Sequence, residues 1–159
     1  MIDKLEEIYA RQKALFDKVC DKQEITDNEG SILTSDYIFE EATQGKLECG
    51  DCEWEPALGP NNLPNTWLIK SLDALDDESR ELRAELLWKW WSKDKLDIQN
   101  IRVEIIDMLH FWMQLCIFSG MTPKDIHRIY MQKHQVNKDR QDQGYSKATK
   151  TEDDNKDIK

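Results

Sequence analysis

The stretch IRVEIIDMLHFWMQLCIF, Ile101 to Phe118, constrains the fold more than any other. Apolar residues cover nearly the whole circumference of the helix it predicts, so that helix is expected to be buried. Arg102 stands near its start, and Glu104, Asp107, His110 and Gln114 interrupt it further on. These last four are three or four residues apart, a spacing that stacks side chains on one side of a helix. The result is a polar stripe on an otherwise greasy surface. Burying an unpaired carboxylate costs several kcal/mol unless its charge is compensated. Two carboxylates one turn apart also repel each other. A positive group must lie between them: an internal lysine or arginine such as Arg102, or a metal cation.

The rest of the chain reads as helices too. A first helix is expected over about Ile2–Val19, then a loop over 21–34 and a short helix from Ser35 to Gln44, stopped by Gly45. Residues 46–64 carry Gly50, Pro56, Gly59, Pro60 and Pro64, the turn formers of a long connection. Asn65 to about Trp91 forms a third helix, with Leu68, Leu72, Leu75, Leu82 and Leu86 as a stripe toward the core. The helix that carries the polar stripe spans about Gln99–Phe118 and stops at Ser119-Gly120. A last helix opens at Thr122-Pro123, an N-cap with proline at the first helical position, and continues to about Gln141. No segment alternates convincingly enough for a strand. The class is all-α, a helical bundle.

In DDESRELRAEL of the third helix, Glu78, Glu81 and Glu85 share one face. That face lies about 100° around the helix from the leucine stripe. Ser71 and Ala74, both small, occupy the same sector. Two central helices that carry E-x-x-E and E-x-x-D make an oxygen-rich cage, the ligand set of hard divalent cations and above all of Mg²⁺. Solvated acids or an internal salt bridge are the bland alternatives. A di-iron bundle wants two Glu-x-x-His pairs, and only the imperfect Asp107-x-x-His110 is present. Cys49 and Cys52 form a C-x-x-C without the second pair that a zinc site needs.

A carboxylate-only cage favours a polyphosphate ligand, whose oxygens complete the shell of the cation. On the last helix Lys133, Asn137 and Arg140 share a face, which suits phosphate or is simply a solvated basic face. Between the two acidic helices, LLWKWWSKDK brings Trp88, Trp90 and Trp91 together with Lys89, Lys93 and Lys95. Such rings offer faces for a nucleobase, or pack in the core or a dimer.

Three motifs carry a resemblance. D-E-S-R-E-L-(five residues)-W-K-W-W, V-E-I-I-D-M-L-H-F and K-H-Q-V-N-K-D-R-Q-D-Q-G-Y occur in that order over roughly residues 77–145. They resemble the two metal motifs and the C-terminal phosphate motif of the dimeric dUTPases, within the all-α nucleoside triphosphate pyrophosphatases that include the MazG-like enzymes. The resemblance implies Mg²⁺-dependent hydrolysis of dUTP to dUMP and pyrophosphate, with Mn²⁺ as a substitute ion. It implies Glu78, Glu81, Glu104 and Asp107 as metal ligands, with a glutamate, Glu78 or Glu81, orienting the water. Gln12, Trp90, His110 and Phe111 would surround base and sugar. Asn137 would contact the nucleotide, and Lys133, Arg140 and Tyr145 the phosphates. The alternatives are dCTP, both pyrimidines or a noncanonical nucleotide as substrate, and a nonenzymatic helical metal-binding interaction module.

Composition sets the remaining expectations. The chain has 159 residues and a formal net charge of −10. That balance argues against nucleic acid or an anionic membrane as a partner. One domain over 1–146 and a polar, disordered tail over 147–159 are expected. Neither a signal peptide nor a transmembrane run is visible, so a cytoplasmic protein with four reduced cysteines is expected. Tryptophan-rich and apolar surface in excess of what the chain can bury implies a homodimer.

Overall fold

Five helices make up the regular structure of the computed structural model, whose described residues are 3–44, 62–142, 144, 155 and 158. They are α1 (Lys4–Lys22), α2 (Ser35–Gln44), α3 (Leu63–Glu85), α4 (Ile98–Phe118) and α5 (Pro123–Asp142). No strand forms among the described residues; one isolated bridge pairs Thr26 with Ile32 between α1 and α2. The all-α expectation holds. The chain divides into two units, Met1–Gly120 with α1 to α4 and Met121–Lys159 with α5.

Local chemistry sets each helix start. Asp3 accepts from the Leu5 N–H, and Asn62 accepts from the Asn65 N–H ahead of a first turn that holds Pro64. Asp97 Oδ1 accepts from the N–H groups of Gln99 and Asn100, both at 3.0 Å. Such side chains satisfy amides that have no partner inside the helix. At α2, Thr34 Oγ1 accepts from Tyr37, and Asp17 of α1 accepts from the Ser35 N–H at 2.6 Å. An ion pair from Lys13 to Asp36 joins the same two helices. In the second unit Thr122 and Asp125 cap α5 reciprocally. Bonds from Thr122, then from Arg128, hold the Asp125 carboxyl down at about 2.

The core of the first unit is built on aromatic edges. The ring of Phe16 (α1) meets Trp67 (α3) at 5.0 Å between centroids and Phe118 (α4) at 4.9 Å. Phe118 is fully buried, as are Leu33, Ile38, Met113 and Ile117. After α4 the chain turns at Gly120, where φ is +76° and an added Cβ would stand 2.8 Å from Thr43 Cγ2. Both the backbone and the space therefore call for glycine. Contacts of Ser71 with Gln114 and of Glu78 with Asp107 run in opposite chain directions, so α3 and α4 are antiparallel.

Two expectations are corrected. Helix α3 ends at Glu85, not near Trp91: Leu86 is extended (φ −84°, ψ 134°), and the tryptophans lie in the connection to α4. The chain must reverse there to lay α4 against α3, and bulky rings lose side-chain freedom in a helix. Nor is α4 buried all round. Its last turns are, through Met113, Cys116, Ile117 and Phe118, whereas Val103, Ile105, Ile106 and Trp112 are exposed. Leu72 and Leu86 of the expected leucine stripe are exposed as well. Four helices in this unit do not supply enough surface to cover both faces of α4.

Truncation of the central ring should be costly. Phe118→Ala is expected to lower stability by about 3–5 kcal/mol, the range for large buried aromatics. Urea denaturation measures it. A loss below about 1 kcal/mol would mean that the ring cluster is not what holds α1, α3 and α4 together.

Candidate active site

Antiparallel packing of α3 on α4 brings three acids together. One carboxylate oxygen each from Glu78, Glu104 and Asp107 lies within 4.8 Å of the others. All three are half-buried. None of the ion pairs among the described residues involves them, and Arg102, the candidate internal partner, is exposed. One weak contact relieves the cluster, from Asn100 Nδ2 to Glu104 Oε1 at 3.3 Å. Desolvation raises the Glu78 carboxyl above its ordinary 4.5, and Glu81, Asp107 and Glu104 push it further. Desolvation raises Glu104 too, with Glu81, Asp107 and Glu85 adding to it. Glu81 is thus near enough to act on both, although it is exposed and stands outside the group of three.

Three convergent oxygen donors without a cationic side chain fit a hard divalent cation. Such an ion takes two or three carboxylates and fills its shell with water or phosphate oxygen. No thiolate or imidazole belongs to the group of three, which disfavours softer metals.

A cleft of about 580 Å³ opens beside these acids, large enough for a small organic ligand. Gln12, Glu78, Asp107, His110 and Phe111 line it, so five of the residues expected from sequence share one cavity. Gln12 is 3 % exposed, and its Oε1 lies 2.7 Å from His110 Nδ1. This contact joins positions 98 residues apart in sequence. The cleft also takes in Ser71 of the acid-bearing sector and Gln114 of the polar stripe, together with Phe16, Trp67 and Lys70, for which the sequence offered no role. A signal existed: Trp67, Ser71, Ala74 and Glu78 repeat at helical spacing, so the leading turns of α3 share the face of its acid. Lys70 Nζ sits 4.3 Å from the centroid of the Trp67 ring, a cation–π contact that places positive charge at the cleft wall.

The other expected residues are placed differently. Trp90 is 88 % exposed in the α3–α4 connection, edge-on to Trp91 at 5.5 Å, and is not among the residues that line this cleft. Lys133, Asn137 and Arg140 lie on α5, in the second unit, where Lys133 Nζ donates to Asn155 Oδ1 at 2.5 Å. Tyr145, Cys49 and Cys52 lie outside the described residues. No helix among the described residues is long and apolar enough to cross a membrane.

The first unit thus sets acids on facing helices beside a cleft, and comparison with known proteins gives its family. The profile of the all-α dUTPase family matches residues 4–119, and the chain belongs to that family. Among curated relatives, the dCTP pyrophosphatase of Enterobacteria phage T4 is 28 % identical across 50 % of this chain and 61 % of its own. The dCTP pyrophosphatase of Enterobacteria phage LZ5 is 32 % identical across 50 % and 60 %. The chain therefore spans about three fifths of the length of the curated relatives it matches. No solved structure matches it. The matched family region includes both acidic motifs and ends before Lys133.

The raised carboxyls set a pH dependence. A carboxyl lifted in the fold keeps protons that the unfolded chain has lost, so the cluster destabilises the metal-free fold as pH rises from 4.5 upward. A divalent cation relieves that repulsion. Calorimetry should show a cation-dependent gain in Tm that is largest near neutral pH and fades as pH falls toward 4.5. Without cation, Glu104→Gln should raise Tm at neutral pH and lose most of the cation's gain. A gain that is independent of pH, or one kept in full by Glu104→Gln, would place the ion elsewhere.

Proposed function

We propose that this chain hydrolyses a pyrimidine deoxynucleoside triphosphate to its monophosphate and pyrophosphate with Mg²⁺, and that dUTP is the substrate. The observation that carries the reading is the convergence of Glu78, Glu104 and Asp107, free of any cationic side chain among the described residues, at the edge of a cleft sized for a nucleoside. Membership of the all-α dUTPase family supports it. The names of the two phage relatives favour dCTP as a second reading.

Bound at the carboxylates, Mg²⁺ supplies charge neutralisation for the phosphoryl oxygens and the leaving pyrophosphate. The remaining work falls to side chains. To Glu81, whose charge acts on Glu78 and Glu104, we assign the proton of the attacking water. The water oxygen bonds to the α-phosphorus, the bond from that phosphorus to the bridging oxygen breaks, and pyrophosphate leaves with the electron pair. Gln12, His110 and Phe111 hold the base and sugar in the cleft. On motif resemblance alone, Trp90 offers a ring to the base, Asn137 contacts the nucleotide, and Lys133, Arg140 and Tyr145 carry phosphate charge.

The experiment is pyrophosphate release across the common dNTPs and NTPs, with and without Mg²⁺. Release from pyrimidine deoxynucleotides only, and only with Mg²⁺, is the expected result. Glu104→Gln and Asp107→Asn should each nearly abolish it. Retention of more than a tenth of the wild-type rate is a barrier change under about 1.4 kcal/mol, too little for a metal ligand.

A homodimer belongs to the same reading. Ile8, Leu15, Ile106 and Leu109 of α1 and α4 line an apolar groove of about 290 Å³, and Val103, Ile105 and Trp112 stand exposed on α4. A second copy would cover them. Sedimentation at micromolar concentration should give a mass near twice 18.8 kDa. A lone monomer would contradict it.

A further inference from the structure

Helix α5 has one covered stripe. Ile126 is buried, and Ile129, Lys133, Val136 and Arg140 are half-buried, whereas Tyr130, His134, Asn137 and Lys138 beside them are exposed. The covered positions recur at spacings of three and four, so they form one face of the helix. Lys133 and Arg140, two of the residues to which phosphate charge is assigned, therefore lie on the covered face, and Asn137 does not.

The C-terminal end of the chain reaches that face. Lys133 Nζ donates to Asn155 Oδ1 at 2.5 Å, across 22 residues of sequence. The Ile158 N–H donates to the Asn155 carbonyl at 3.1 Å, which makes a turn there, and Ile158 is half-buried. Helix α5 and these residues belong to the same unit. Among the described residues no ion pair includes Lys133. The amide oxygen that it holds carries no net charge. A phosphate oxygen adds full Coulomb attraction and is the stronger partner for an ammonium group.

The sequence around this anchor is acidic. Glu152, Asp153 and Asp154 precede Asn155 and Asp157 follows it, against Lys156 and Lys159. Three residues of chain extend at most about 11 Å. That is close to the screening length of about 10 Å at 0.1 M salt, so the anchor keeps these charges within range of Lys133. A tethered segment also acts at an effective concentration on the order of millimolar. Weak docking is then enough to matter.

We infer that the acidic C-terminal segment is a built-in competitor for phosphate: held through Asn155 on the Lys133 face of α5, it must leave before a polyphosphate binds there. This rests on the assignment of Lys133 to phosphate within the pyrophosphohydrolase reading, and adds to it a control on substrate and product affinity.

Calorimetry with inorganic pyrophosphate and Mg²⁺ on the full chain measures the competition without turnover. A variant that combines Glu152→Gln, Asp153→Asn, Asp154→Asn and Asn155→Ala should bind pyrophosphate at least about threefold more tightly than wild type at low salt, the scale of one or two surface ion pairs. The gain should vanish at about 1 M salt, where the screening length is about 3 Å. In a Lys133→Met background the same four substitutions should bring no gain. Equal or weaker binding by the variant at low salt overturns the inference. So does a gain that survives Lys133→Met, because it would reflect only the lower negative charge of the whole chain. A tail-dependent affinity for pyrophosphate without Mg²⁺-dependent release from any nucleotide would sink the pyrophosphohydrolase reading and leave the competition standing.

Discussion

Like charge held across a helix pair governs the first unit. Glu78 on α3 and Glu104 and Asp107 on α4 stand with ligand atoms within 4.8 Å, half-buried, without a lysine or arginine among them. Desolvation and mutual repulsion lift the carboxyls of Glu78 and Glu104. A fold accepts such an arrangement when something else holds the helices together and when a cation relieves it on binding. The first condition is met a few turns away, where Phe16, Trp67 and Phe118 pack edge to face. The pair α3–α4 therefore has a greasy end that fixes the geometry and an acidic end that is strained by it.

The cleft occupies the ground between those ends. Its walls are the aromatic and aliphatic side chains of the core, and its polar groups are few: acids at one end, His110 with Gln12 midway, Gln114 with Ser71 further on, and Lys70 over the Trp67 ring. Chemistry at the acids and recognition along the cleft are thus arranged on consecutive turns of one helix. Of the polar residues that interrupt this apolar helix, Asp107, His110 and Gln114 line the cavity.

Much of this was legible in the residues. Ser35–Gln44 was read with the bounds the structure shows, and α4 and α5 to within a residue, because Thr122-Pro123 and Ser119-Gly120 are strong local signals. The acids were legible because charge on a greasy helix is conspicuous. The end of α3 was not: nothing in LLWKWW breaks a helix, and the reversal there is imposed by antiparallel packing on α4. Periodicity also could not show what covers α4, since an apolar face reads alike whether its own chain or a second copy covers it. The contact between Gln12 and His110 spans 98 residues, which no local pattern encodes, and the motif resemblance alone suggested that both belong to the site. Lys70 carries no signal of its own, because a lysine on a helix face is ordinary until a cavity lies beside it.

The central claim is that the three carboxylates hold one divalent cation. Crystals grown or soaked with Mn²⁺ and measured for anomalous scattering test it most directly. The account predicts a peak between α3 and α4, with oxygens of Glu78, Glu104 and Asp107 at about 2.1 Å, the distance for a small hard cation. A peak bound elsewhere on the chain, or no peak there at saturating Mn²⁺ with the three acids turned to solvent or to a basic side chain, would contradict it.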